Sequence, residues 1–248
     1  MKRIAIVLAC ALLPIPALAD GDLTDGREIL KKADEAVKKI KLVEYRADYQ
    51  GTAWVQQFVP AVTGTVVLGK QSKWEIPQFR CEIKLQKYGS EEVQELTAGC
   101  DGDVYFLIDP KTKTAHEDMD EAVLGTQSRD IQRALMREFS IPKPFGAILE
   151  PEEGDPPAIE LKGTAKVGDQ ECYEVVIKPT GPQAPELHWF ISKKDLLPRK
   201  IVRIYDREGE KGTTELAVHD LKVDPKLDRN PFKLVPPPGF KKTDEFAP

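Results

Sequence analysis

From Glu44 onward, apolar and polar residues alternate with a period of two over most of the chain, with breaks at Gly, Pro and Asp. Such alternation puts successive side chains on opposite faces of a strand and predicts a half-buried sheet. The runs Glu44–Val55, Val62–Lys70, Gln78–Tyr88, Val93–Cys100 and Val104–Asp109 make one set, divided by Pro60, Gly89 and Asp101-Gly102. A second set comprises Ala158–Val167, Glu171–Lys178, Leu187–Ser192, Arg199–Asp206 and Thr213–Val223. Its last three runs read as an antiparallel meander, because residues 193–198 and 207–212 between them carry Asp, Pro and Gly turn signals. In Gln78–Tyr88, residues Phe79, Cys81, Ile83 and Leu85 share one face and Arg80, Glu82 and Lys84 the other. One face of the sheet is therefore expected to be apolar and the other wet.

Two segments follow the helical period instead. Thr24–Lys41 places Ile29, Ala33, Ala36, Val37 and Ile40 on one stripe, and Asp25 and Glu28 stand where a capping box would. Its opposite face is rich in lysine, which reads as a solvated face. A second amphipathic helix is expected over Ser128–Phe139, with Ile131, Ala134, Leu135 and Phe139 on one side, ending at Ile141-Pro-Lys-Pro144. An apolar patch at Phe145, Ile148 and Leu149 and a Pro- and acid-rich loop, Glu150–Pro157, come next. The stretch His116–Glu121 reads as a mobile acidic loop. A long antiparallel sheet must curl, since twist accumulates and open edges invite aggregation. The expected fold class is mainly β (α+β): one curled antiparallel half-barrel of about ten or eleven strands, with an N-terminal helix and an inserted lid helix.

Composition adds the compartment. The chain has 248 residues, 41% of them hydrophobic, enough for one sizeable core and no second domain. Lys2-Arg3, the apolar run Ile4–Leu13, then Pro14, Pro16 and Ala17-Leu-Ala19 make residues 1–19 a signal peptide, with cleavage expected after Ala19 and residues 20–248 as the exported, periplasmic domain. The apolar run is too short to span a bilayer. Cys10 after Val7-Leu-Ala9 faintly resembles a lipoprotein processing box, but the apolar run before it is only six residues and continues past it, so lipidation there is the lesser expectation. Loss of Lys2 and Arg3 leaves 34 basic against 41 acidic residues, a net charge of −7, which argues against nucleic acid as a partner. Cys81, Cys100 and Cys172 remain. With a hairpin tip near Ser90-Glu91, Cys81 and Cys100 would fall roughly opposite one another, leaving a bridge between them geometrically open.

Catalytic chemistry is not written in the chain. His188 and His219 lie in strand patterns, and neither accompanies a nucleophile motif. His116-Glu117 begins like a zinc-protease helix, but Asp120 stands where the second histidine belongs. Nucleophile-elbow, dinucleotide-binding and phosphate-loop motifs are absent from the sequence. The acidic stretches Glu117–Glu121 and Glu150–Asp155 lack the spacing of a calcium loop. No cofactor and no metal are expected.

Four segments carry a resemblance: Tyr45-Arg-Ala-Asp-Tyr-Gln-Gly after the first helix, Pro77-Gln-Phe-Arg-Cys-Glu-Ile, Asp101-Gly-Asp-Val-Tyr-Phe-Leu-Ile-Asp-Pro, and Phe232-Lys-Leu-Val-Pro-Pro-Pro-Gly-Phe. Together with the order of elements, they resemble the LolA-like family of periplasmic lipoprotein carriers. Each motif marks a turn or a strand start, and none marks a reaction. The resemblance implies a half-barrel whose apolar face holds acyl chains under a helical lid. It also implies an arginine latch near the start of the second of these segments, but the stretch Lys70-Gln-Ser-Lys-Trp-Glu-Ile76 before Pro77 holds no arginine, and Lys73 is the residue that could stand in for it. A lysine ammonium does not reproduce the guanidinium fork.

The expected job is a non-enzymatic periplasmic carrier or binder of lipid or lipoprotein acyl chains, acting as a monomer, with a membrane-associated protein as possible donor or acceptor. The expected apolar lining is Phe79, Ile83, Leu96 and Phe106 from the early strands, Leu135 and Phe139 from the lid, and Trp189 and Ile191 from the meander. Apolar alternation is the same in a lined cavity and in a filled core, so packed core stands as the alternative for each. Two rival jobs remain: a lipid sensor docking a protein through Phe145–Leu149 and Glu150–Asp155, and a hydrolase with a site beside His188 or His219.

Overall fold

The computed structural model describes residues 22–70, 78–125, 135–136, 145–151, 154–178, 180–181, 184–227 and 230–243. Asp25 caps helix α1 (Gly26–Lys38) by accepting a hydrogen bond from the Arg27 amide at 2.8 Å, and Ile29, Leu30, Ala33 and Val37 form its buried stripe. Strands β1 (Leu42–Thr52), β2 (Ala61–Gly69), β3 (Phe79–Gln86), β4 (Val93–Cys100), β5 (Tyr105–Asp109) and β6 (Thr114–Asp118) then meander antiparallel. A crossover carries a 3-10 turn, Glu121–Leu124, and one helical turn, Gly146–Leu149. The second meander is β7 (Ile159–Val167), β8 (Gln170–Ile177), β9 (Glu186–Ser192), β10 (Pro198–Arg207) and β11 (Glu210–Val223), and β12 (Lys241–Thr243) closes the chain.

The two meanders join where β11 pairs with β1, giving one sheet of order β12-β6-β5-β4-β3-β2-β1-β11-β10-β9-β8-β7. The edges β12 and β7 do not pair with each other, so the sheet curls without closing. Twelve strands stand where ten were read. The two extra ones are β6, which takes in His116–Asp118 of the stretch expected to be a mobile loop, and β12, which pairs parallel with β6.

Alternation decides the faces. Val43, Tyr45, Ala47 and Tyr49 of β1 point inward, as do Val62, Val66 and Leu68 opposite them on β2 and Phe79, Cys81, Ile83 and Leu85 on β3. The outer face bears crossed ion pairs, among them Lys84–Glu95, Lys200–Glu215 and Lys178–Glu160. Cys81 stands opposite Ala98, and Cys100 opposite Phe79. The cysteines are therefore two positions out of register and not opposite one another, and Cys81, Cys100 and Cys172 are free buried thiols. Burial pushes the Cys81 thiol up to about 12.

The C-terminal segment crosses the outer face of the first meander. Asp224 ties its start by accepting from the amides of Lys41 (2.8 Å) and Leu42 (2.9 Å). Phe232 then packs where Gly69 has no side chain, since a Cβ there would lie 2.8 Å from its ring. Leu234 and Phe240 cover a small second core of Phe106, Ile108 and Ala115. The segment ends as β12 on β6, masking that edge from strand addition.

Candidate functional site

The inner face is covered by α1 on the β7–β8 side and by the crossover elsewhere. Val123, Leu124, Leu135, Phe145 and Leu149 of the crossover all join the inner-face core. Contacts among the described residues tie them to the rest of the molecule. The Tyr45 hydroxyl, wholly buried, donates to the Leu135 carbonyl at 2.9 Å. The Asp34 carboxylate on α1 accepts the buried Phe145 amide at 2.9 Å. Arg27 donates to the Leu149 carbonyl at 3.1 Å. The Phe145 ring meets Trp189 edge-on, with centroids 4.7 Å apart. Each polar contact is one hydrogen bond, worth about 1 kcal/mol net when both partners can reach water.

Phe79, Ile83, Leu96, Leu135, Trp189 and Ile191 gather in this one cluster, none more than 6% exposed. They share that buried core with the apolar stripe of α1 and with the described crossover residues. Phe106 does not join them. It stands opposite Gly99 on the other side of the pleat, with the Arg80 guanidinium 5.9 Å above its ring, and belongs to the outer core under the C-terminal segment. Assigning it to the inner lining is corrected accordingly. Phe139, most of the expected helix Ser128–Phe139 and Lys73 lie outside the described residues.

Two polar atoms on the inner face stand apart. The indole N–H of Trp189 and the hydroxyl of Thr214 are buried and have no hydrogen-bond partner among the described residues. Trp189 faces Ile201, and Ile201 faces Leu216 two residues along β11 from Thr214, so both polar atoms lie on the inner side of the second meander. A buried donor or hydroxyl without a partner costs about 1–3 kcal/mol, so a pair of them in an apolar surface calls for an explanation. Sequence reading named Trp189 for its ring alone. Asp34, a charge inside the apolar stripe of α1, was the available sign of a tie to the crossover.

At the hairpin end, the 3-10 turn Ala53–Gln57 folds over the sheet. Room comes from glycines: a Cβ at Gly51 would lie 2.5 Å from Val59 Cγ2, and one at Gly212 would lie 2.6 Å from Val55 Cγ2. The Trp54 indole donates to the Glu210 carbonyl at 3.1 Å.

The rival sites fare differently. Phe145 and Leu149 are buried, so residues 145–149 are no exposed docking patch. His188 lies on the outer face between Glu174 (2.8 Å) and Glu186 (2.7 Å), and His219 lies beside Asp48 at 2.8 Å. Neither ring hydrogen-bonds a Ser, Thr or Cys among the described residues. Partial burial works to raise the Glu174 carboxyl, but hydrogen bonds with His188 and Lys162 outweigh it and hold the group below its ordinary value. That is what a surface ion-pair lattice does to a carboxyl group.

No family model matches the sequence, and no curated protein matches it. Solved structures do. MucB superposes with a TM-score of 0.51 at 11% identity over 85% of this chain, which spans 62% of MucB's length. LprF from Mycobacterium bovis gives 0.50 at 10% identity, over 85% of this chain and 100% of LprF. The lipoprotein LppX from Mycobacterium tuberculosis gives 0.48 at 10% identity, over 81% of this chain and 96% of LppX. At these identities the likeness is one of fold, and that fold is the open half-barrel implied by the LolA-like resemblance.

Proposed function

We propose that the protein is an exported, non-enzymatic carrier or binder of acyl chains that also bear a carbonyl group, such as those of a lipid or lipoprotein. The observation that carries the reading is two buried polar atoms without a hydrogen-bond partner among the described residues, Trp189 Nε1 and Thr214 Oγ1, on a largely apolar inner face. Hydrocarbon binding alone needs neither, whereas an acyl ester or amide brings an acceptor of the kind each of these groups lacks. Each methylene moved from water to the inner face contributes about 0.8 kcal/mol, so an acyl chain of ordinary length is of the size needed to offset both the hydrogen bonds tying down the crossover and the burial that Leu135, Phe145 and Leu149 give up. On this reading the crossover is a displaceable cover, and Leu135, Phe145 and Leu149 occupy the ligand's place when it is absent. The signal peptide expected at residues 1–19 would deliver the chain to the cell envelope, where such acyl chains are found.

The test is denaturing mass spectrometry of organic extracts from the purified mature protein, with titration of a fluorescent fatty acid and of its methyl ester. Trp189→Phe keeps a ring against Phe145 and removes the N–H. It should weaken methyl-ester binding about fivefold, in line with one lost hydrogen bond. No lipid in the extract and no binding of either probe would overturn the proposal.

A further inference from the structure

The strand directions gather residues 53–60, 87–92, 110–113 and 208–209 at one end of the sheet. Glu208 (φ 55°) and Gly209 (φ 89°) form a tight two-residue hairpin there, with both in the left-handed region. Among the described residues, the exposed large aromatics are Phe58, 70% exposed, and Tyr88, 58% exposed, and both lie at this end. They belong to one rim. The Phe58 ring lies 6.1 Å from Trp54, and Trp54 lies 6.3 Å from Tyr205 and carries the Arg207 guanidinium at 6.0 Å. The hairpin bearing Tyr88 shares a groove with Val59, the neighbour of Phe58. Isolated exposed aromatics need no account, but two on neighbouring hairpins at one end of the sheet, one of them edge-on to a further ring, do.

The charges around the rim are mixed. Lys87, Arg207 and Lys211 stand beside Glu91, Glu208 and Glu210, and Lys111 is paired with Glu92 at 2.8 Å. An anionic surface would meet as much repulsion as attraction there, whereas zwitterionic headgroups offer a partner to each sign. Aromatic rings with one apolar and one polar edge partition to that headgroup level. Trp54 fits this, because its N–H is already satisfied by the Glu210 carbonyl while its ring borders the rim.

We propose that this hairpin end docks the protein on a zwitterionic phospholipid surface, with Phe58 and Tyr88 inserting among the headgroups and Trp54 behind them. The idea rests on the carrier reading for its purpose, since the Ala53–Gln57 turn that presents the rim also folds over the same end of the sheet. The occupant is a bilayer, and no protein is required.

Flotation of the mature protein with phosphatidylcholine vesicles at 0.1 M and 0.5 M salt tests it. The wild type should float at both salt concentrations. Phe58→Asp and Tyr88→Asp should each lower the partition coefficient about tenfold, while Val235→Asp, an exposed site on the C-terminal segment, should not change it. Equal urea midpoints for all four proteins would show that folding is intact. Failure of the wild type to float, unchanged flotation of both rim variants, or flotation abolished at 0.5 M salt would overturn the proposal. Binding of the fluorescent methyl ester in solution separates the two claims. Ester binding without flotation sinks only the docking surface, and flotation without ester binding sinks only the carrier.

Discussion

Thr214 carries a hydroxyl that is buried on the inner face and has no hydrogen-bond partner among the described residues. Its methyl-bearing isostere removes the desolvated group and keeps the shape, so Thr214→Val should raise the stability of the ligand-free protein by about 1 kcal/mol in urea unfolding. A loss of stability would mean that the hydroxyl does find a partner. The thiols give a second check. Burial raises Cys81 to about 12 and Cys100 and Cys172 to about 11. All three should resist iodoacetamide at pH 8 in the folded protein and react in urea, because the thiolate is the nucleophile. Glu174 sets an acid limb. Its folded value lies below the ordinary one, so its stabilisation is present above the ordinary carboxylate range near pH 4 and is lost as pH falls through the folded value. Glu174→Gln should therefore cost stability at pH 7 and leave a smaller difference at pH 3, both read from urea midpoints.

The C-terminal segment supplies apolar cover to the outer face. A chain ending at residue 229 loses Phe232, Leu234 and Phe240 from their seats and uncovers Phe106 and Ile108. It should be less stable by roughly 3 kcal/mol and should bind an apolar dye such as anilinonaphthalene sulfonate, while its circular dichroism stays that of a sheet. Period-two alternation made ten strands legible and the helical period made α1 so, with ends within a few residues of those observed. It missed β6, because His116-Glu117-Asp118 is a polar run whose place in the sheet depends on a C-terminal segment more than a hundred residues away. Phe106 went to the wrong face for a related reason. Tyr105 and Leu107 alternate with Phe106 and Ile108, so both faces of β5 are apolar, and only the register Gly99 to Phe106 says which is outer. Two apolar faces on one strand are themselves a sign of a second cover, and here that cover comes from the far end of the chain.

Over the whole molecule, the curled sheet of twelve strands among the described residues has an apolar inner face, and described residues of the crossover between the two meanders help α1 to cover it. The class of fold was readable because alternation reports a half-buried sheet wherever it occurs. The contents of the inner face were not readable, because Phe79, Ile83, Leu96, Trp189 and Ile191 alternate identically whether they touch cargo or cover. What separates the two is how firmly the crossover is held. Asp34→Ala leaves the Phe145 amide buried without its acceptor and should loosen the cover by about 1–3 kcal/mol. If the cover must leave for a ligand to enter, that loosening strengthens binding. Titration of wild type and Asp34→Ala with a fluorescent fatty-acid methyl ester measures this directly. The expected result is saturable binding by both proteins, with the variant about tenfold or more tighter. No binding by either, or weaker binding by a folded Asp34→Ala, would mean that the crossover is a permanent plug and that the inner face is simply core.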